Sequence, residues 1–189
     1  MATIHRTGPT SDAVDSTVRR DGSLVVWAAA FFTIAVLLHN ADHARRGADS
    51  VGRDVFWLGT AGIALEVGVV VLATQRHRLA ALAATAIGFP LALGYVVVHF
   101  LPARSLFSDS FTSATNVSRL SWSAASLEVA AALTLGIAGL VVLRRRGGVA
   151  SAAQVNPDQR SVQQAVTHPI ALAMILGNAI LLAISFAQL

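Results

Sequence analysis

Residues 27–47 read WAAAFFTIAVLLHNADHARRG. A run of apolar side chains from Trp27 to Leu38 stops abruptly, and His39, Asn40, Asp42 and His43 follow within five positions. The apolar half lacks the polar face that a surface helix of a soluble protein turns to water. A helix crossing hydrocarbon needs about 20 residues, and the segment 24–43 is that long. Two readings of the polar half are open. The histidines can sit at headgroup level, or they can line a site inside a membrane bundle.

The rest of the chain repeats the pattern. Its 189 residues are 54% hydrophobic and 13% charged, with a mean hydropathy of +0.63, too little charge to cover a soluble surface. Apolar segments at about 24–43, 55–74, 79–101, 121–143 and 167–188 each suffice for a core ~30 Å thick at ~1.5 Å per residue. Backbone in hydrocarbon must bond to itself, and the segments lack the alternation of barrel strands, so they are helices. The expectation is an all-α membrane protein: a four-helix transmembrane bundle over residues 23–143 and a fifth, C-terminal transmembrane helix over 166–189. Residues 1–22 read as a disordered cytoplasmic tail and 144–165 as a cytoplasmic linker, both polar and carrying Gly and Pro. Arg19-Arg20 does not begin a signal peptide: Asp21-Gly22 follow, no small-residue cleavage site ends the run, and further spans come after.

Charge gives direction. The chain has no lysine, so its 14 cations are all arginine. With the N-terminus inside, nine lie in inner segments (Arg6, Arg19, Arg20, Arg76, Arg78, Arg144, Arg145, Arg146, Arg160) and five in outer ones (Arg45, Arg46, Arg53, Arg104, Arg119). That balance favours an inside N-terminus, and the net charge of +4 reflects orientation and anionic headgroups rather than nucleic acid. Cysteine is absent, which excludes disulfides, thiolate metal sites, cysteine nucleophiles and covalently attached haem.

Chemistry is concentrated in the spans. The chain has only two glutamates, Glu66 and Glu128, and both fall inside predicted helices, where an ionisable group costs at least ~2.5–3.5 kcal/mol and normally faces a partner or a cavity. Helical period places Glu128 with Ser121, Ala124, Ala125, Ala131, Ala132 and Gly139, and Glu66 with Gly59, Gly62 and Ala73. Small residues let a neighbouring helix approach, so both acids face inward. Gly88, Ala92, Tyr95 and His99 share a stripe in the third span, with Pro90 bending it and the Tyr95 hydroxyl one turn from His99. By depth, His39, Asp42, His43, His99 and Glu128 meet in the outer half and Glu66 lies beneath them.

Imidazoles with a carboxylate form an N/O donor set suited to Zn, Fe, Mn or Cu. His39, His43, His99 and Glu128 are therefore the candidate metal ligands. Asp42, Tyr95 and Asp109 are candidates to orient them, and Glu66 and Glu128 to accept or relay a proton. The activity this fits is metal-assisted hydrolysis or redox chemistry on a membrane lipid or small molecule at the outer leaflet. A haem b held by two of the histidines is an alternative, as is a proton-coupled transporter or an accessory subunit without a site. Each glutamate can also be a neutral acid joining two helices. The loop 101–122 is the longest outer connection: Ser108, Asp109 and Ser110 could bend over the pocket, and Leu106, Phe107 and Phe111 could anchor it in the interface.

Three stretches, HNADHARRG (39–47), VVVHFLPARSLFSDSF (96–111) and LSWSAASLEVAAAL (120–133), carry a resemblance covering about residues 24–143. It is to uncharacterised multi-pass integral membrane proteins of high-GC actinobacteria, in which a His-x-x-Asp-His helix end, a His-Leu-Pro helix end, a Phe-Ser-Asp loop and an acidic fourth helix recur. This chain departs from them in reading His-Phe-Leu-Pro at 99–102. The resemblance implies a bacterial plasma membrane and no mechanism, and it draws attention to His39, Asp42, His43, His99, Asp109 and Glu128.

Overall fold

A computed structural model describes residues 11–47, 50–102 and 108–149, together with the isolated positions 169 and 180. Among the described residues there are no strands. The chain forms α1 (Ser11–Arg46), α2 (Arg53–Thr74), α3 (Ala80–Tyr95), a π-helical turn that continues it (Val96–Phe100), and α4 (Arg119–Val149). Four of these stretches, Arg20–Arg46, Arg53–Thr74, Ala80–Phe100 and Arg119–Arg146, are long and apolar enough to cross a membrane, with mean hydropathies of 2.0 to 2.1.

Their outward faces are apolar as well. Trp27 is 74% exposed, Leu93 65%, Ile34 57% and Leu65 56%, a surface that suits an apolar solvent. The interior is made of smaller groups: Ala28, Ala29 and Ala35 of α1, Ala81 and Ala84 of α3, and Ala131, Ala132 and Ala138 of α4, with Phe32 and Leu135 between them. The α3–α4 seam is the tightest. A Cβ on Gly88 would come within 2.6 Å of the Gly136 nitrogen, and one on Gly139 within 2.5 Å of the Ala81 carbonyl. Only hydrogen fits there, as in close membrane helix pairs.

The element ends depart from expectation. Within the segment 1–22, expected to be a tail, α1 already runs from Ser11; extending a formed helix gains one hydrogen bond per residue fixed, so polar residues join it readily. By the same logic α4 continues to Val149, into the expected linker. Residues 1–10, the linker from 150 and, apart from positions 169 and 180, the expected fifth helix lie outside the described residues. Gly59, expected on the inward stripe of α2, is exposed, while Glu66, Val69, Val70 and Ala73 are buried.

Two spacings of seven position the site. Val25, Phe32, His39 and Arg46 follow one another down the buried stripe of α1, and Ser121, Glu128, Leu135 and Val142 down that of α4. At 3.6 residues per turn, seven residues return to nearly the same face. The core stripe therefore does not end with the apolar residues; it runs on through ionisable ones.

Candidate metal centre

α1 ends at Gly47, whose left-handed backbone (φ +90) and N–H bond to the His43 carbonyl close the helix. Its last turns present His39, Asp42 and Arg46, all buried, and the half-buried His43. His99 arrives from the π-helical turn and is 3% exposed. The three imidazoles pack against one another: ring centroids lie 4.5 Å apart for His39–His43, 4.7 Å for His39–His99 and 5.7 Å for His43–His99. One nitrogen of each lies within 4.8 Å of the other two, and the His39 and His43 Nε2 atoms are 2.9 Å apart. Nitrogens bound to one ion at ~2.0–2.1 Å stand about 3–4 Å from each other, so a metal requires the widest pair to close by about an ångström. These three histidines could hold a metal ion.

Glu128 belongs to the same cluster. It is 2% exposed, and its Oε2 lies 3.5 Å from His39 Nε2 with no hydrogen-bond partner among the described residues. Tyr95 differs from expectation. Its hydroxyl donates to Glu66 Oε1 rather than reaching His99, and it also interacts with the Glu128 carboxyl group. Glu66, 4% exposed, is thereby joined to the cluster through Tyr95, and its Oε2 has no hydrogen-bond partner among the described residues.

Asp42 is placed differently from the expected role. Its Oδ1 lies 2.8 Å from Arg45 Nη2, and no hydrogen bond to an imidazole is seen among the described residues. The carboxylate that faces the imidazoles is Asp109, from the loop after α3, whose main-chain carbonyl also lies 3.3 Å from His99 Nδ1. Its Oδ2 lies 3.5 Å from His99 Nδ1 and 3.9 Å from His43 Nδ1. A carboxylate facing Nδ1 leaves Nε2, on the far edge of the ring, for an ion. Asp109 is itself gripped by Arg46 through two 2.8 Å hydrogen bonds, with the arginine side chain fully buried. Burial pushes the Asp109 carboxyl up, but the hydrogen bonds from Arg46 and the interaction with His99 outweigh it and hold the group below the ordinary carboxylate range.

The loop is fastened over the histidines. Asp109 and Phe111 donate backbone N–H bonds of 3.1 and 2.9 Å to the Val98 and His99 carbonyls, satisfying acceptors that a helix end leaves open. Asn116, in the left-handed region (φ 57), donates its side-chain N–H to the Arg46 carbonyl, and Arg45 donates to the Asn116 carbonyl and to Ser118 and Ser121. Phe111 was expected at the membrane interface and is instead buried, its ring 4.8 Å from His99 and 5.2 Å beneath the Arg46 guanidinium. An aromatic ring that covers an imidazole and a cation at once gains more there than in the interface. Leu106 and Phe107 lie outside the described residues.

Arg46 is the residue that sequence reasoning missed, having counted it among the outer loop cations. The signal was present: it stands seven residues after His39, on the same stripe. For the haem alternative, His39 and His99 pack too closely, at 4.7 Å, to flank a macrocycle, and His43 and His99 stand wider, at 5.7 Å.

Among the described residues, fold and site together define an all-helical protein with four helices long and apolar enough to cross a membrane and a buried histidine–carboxylate cluster near one end. The chain matches no protein-family model, no curated protein and no solved structure in comparisons against all three.

Proposed function

We propose that this is a bacterial plasma-membrane protein that holds a transition metal ion on His39, His43 and His99, with Glu128 as a fourth donor. The observation that carries the reading is the convergence of three imidazole nitrogens within 4.8 Å inside a membrane bundle, two of them backed by one arginine-held carboxylate. Buried polar atoms with no hydrogen-bond partner among the described residues, His39 Nδ1 and Glu128 Oε2 included, leave polar capacity that a purely structural cluster would satisfy. The resemblance to actinobacterial membrane proteins supports the plasma membrane, and the arginine count supports a cytoplasmic N-terminus with the site in the outer half.

Bound there, an ion supplies Lewis acidity or a redox centre toward a lipid or small molecule reaching the outer leaflet. The chain's own groups then have separable tasks. Asp109 and Arg46 set the imidazole edges, Tyr95 holds a proton between two carboxyl groups, and Glu128 is placed to accept one beside His39. A route for ions through the membrane is less well supported. Moving inward from the glutamates, the buried positions become Phe32, Val69, Val70 and Leu135, an apolar floor.

The test is elemental analysis of detergent-purified protein. One equivalent of a first-row transition metal is expected, falling to background in His39→Ala and in His99→Ala while helical circular dichroism is kept. Metal-free wild type that still fails to take up Zn, Fe, Mn or Cu on reconstitution would end the reading, and a Soret band would replace it with haem.

A further inference from the structure

Among the described residues, four buried carboxylates surround or underlie the histidines, Asp42, Asp109, Glu128 and Glu66, and their partners divide them sharply. Asp42 is paired with Arg45 and Asp109 with Arg46, each at 2.8 Å. Those two pairs are neutral. Glu66 and Glu128 have no arginine within ion-pair distance among the described residues, and each has one oxygen, Oε2, with no hydrogen-bond partner there. They come from facing helices, α2 and α4, and the Tyr95 hydroxyl between them bonds one and interacts with the other. With neutral imidazoles, the fully ionised site therefore carries a formal charge of −2, at side chains 4% and 2% exposed. In hydrocarbon an uncompensated charge is expensive, so the charge of the occupant matters as much as its geometry.

We propose that Glu66, acting through Tyr95 on the Glu128 side of the histidine cluster, makes the site selective for a divalent over a monovalent cation. The inference rests on the metal-site reading above and adds what sets the ion's charge. A divalent ion on the three histidines and Glu128 leaves one positive charge over, and ionised Glu66 cancels it. A monovalent ion is already cancelled by Glu128; Glu66 then keeps its proton, a state that glutamine imitates. Glu66 is thus a specificity-determining residue without being a ligand, and Tyr95 is the positioning group that ties it to the cluster.

Titration of the purified full-length protein in detergent with Zn²⁺ and, separately, with Ag⁺ reads this directly. Ag⁺ is a redox-inert monovalent probe, and the chain has no cysteine to capture it. Glu66→Gln is expected to weaken Zn²⁺ binding by at least about tenfold, from loss of a nearby charge, and to change Ag⁺ binding by less than about threefold. Tyr95→Phe, which keeps the ring and its packing, is expected to shift the Zn²⁺/Ag⁺ ratio in the same direction by less. If both ions weaken equally in the two variants, Glu66 is merely structural and the inference is wrong; the same holds if neither affinity moves. Should Glu66→Gln not fold, Tyr95→Phe decides alone, and an unchanged ratio there overturns the proposal. Wild type that binds Ag⁺ but no divalent ion sinks this inference while leaving a metal site; wild type that binds neither removes both.

Discussion

The side chain of Arg46 is 0% exposed and that of Asp109 1%, and each is the other's closest counter-charge. Removing one member of such a pair strands the other in a medium that cannot solvate it, at a cost of about 3–5 kcal/mol. Arg46→Ala should therefore lower the thermal midpoint in detergent by several degrees. Arg119→Ala, at an exposed position on the next helix, should stay within about 0.5 kcal/mol of wild type. Asp109→Asn is the finer probe. It keeps the shape and one acceptor oxygen but removes the charge facing Arg46 and weakens the side-chain hold on the His43 and His99 rings, so the thermal midpoint should fall as well, and metal affinity should drop about 10–100-fold in protein that stays folded, measured by competition with a chromophoric chelator. Unchanged affinity in that variant would mean that the carboxylate does not orient the rings, leaving His99 to its contact with the Asp109 main-chain carbonyl at 3.3 Å. At this scale the sequence was partly legible. The clustered side chains could be named because histidine and glutamate are rare in the spans, whereas Arg46 could not, since an arginine after an apolar run resembles any loop cation until its seven-residue spacing from His39 is noticed.

Among the elements, α3 and α4 matter most to the site, since one carries His99 and the other Glu128, and their separation is set by glycine. With backbone atoms 2.6 to 2.9 Å from the position a Gly88 Cβ would take, Gly88→Ala must push the helices apart. Overpacking of this kind typically costs about 1–3 kcal/mol. The paired control is Gly94→Ala in the same helix, where a Cβ meets nothing within 4 Å and alanine gains about 0.8–1 kcal/mol in helix propensity. The first variant should unfold at a lower temperature and lose metal; the second should do neither, with both properties read from one preparation. Hydropathy located all four described spans because a bilayer admits few alternatives to a long apolar helix. The polar ends at Ser11 and Val149 escaped it, since hydropathy is silent once a helix leaves hydrocarbon. So did the π-helical turn that delivers His99, whose i to i+5 bonding has no signature in the Val96–Phe100 side chains.

For the whole molecule the open quantity is direction, and the structure sharpens the charge argument. One end of the bundle gathers Arg20, Arg76, Arg78, Arg144, Arg145 and Arg146. Of these only Arg145 meets a carboxylate among the described residues, Asp21 at 2.9 Å. At the other end Arg46 is consumed inside the protein and Arg45 is tied to Asp42, the loop and α4, which leaves three of the five outer arginines, Arg53, Arg119 and Arg104, the last outside the described residues. The asymmetry presented to the membrane is therefore larger than nine against five suggests, and arginine bias within about 15–20 residues of the spans sets orientation. Because the chain has no cysteine, single cysteines report cleanly. Thr112→Cys lies at an exposed loop position near the histidines, and Leu79→Cys at the exposed turn before α3. In intact cells a membrane-impermeant maleimide should label Thr112→Cys and leave Leu79→Cys unlabelled until the cells are permeabilised. The reverse pattern would place the histidine cluster on the cytoplasmic side, where its ion would exchange with a different pool and a substrate would have to arrive from the inner leaflet.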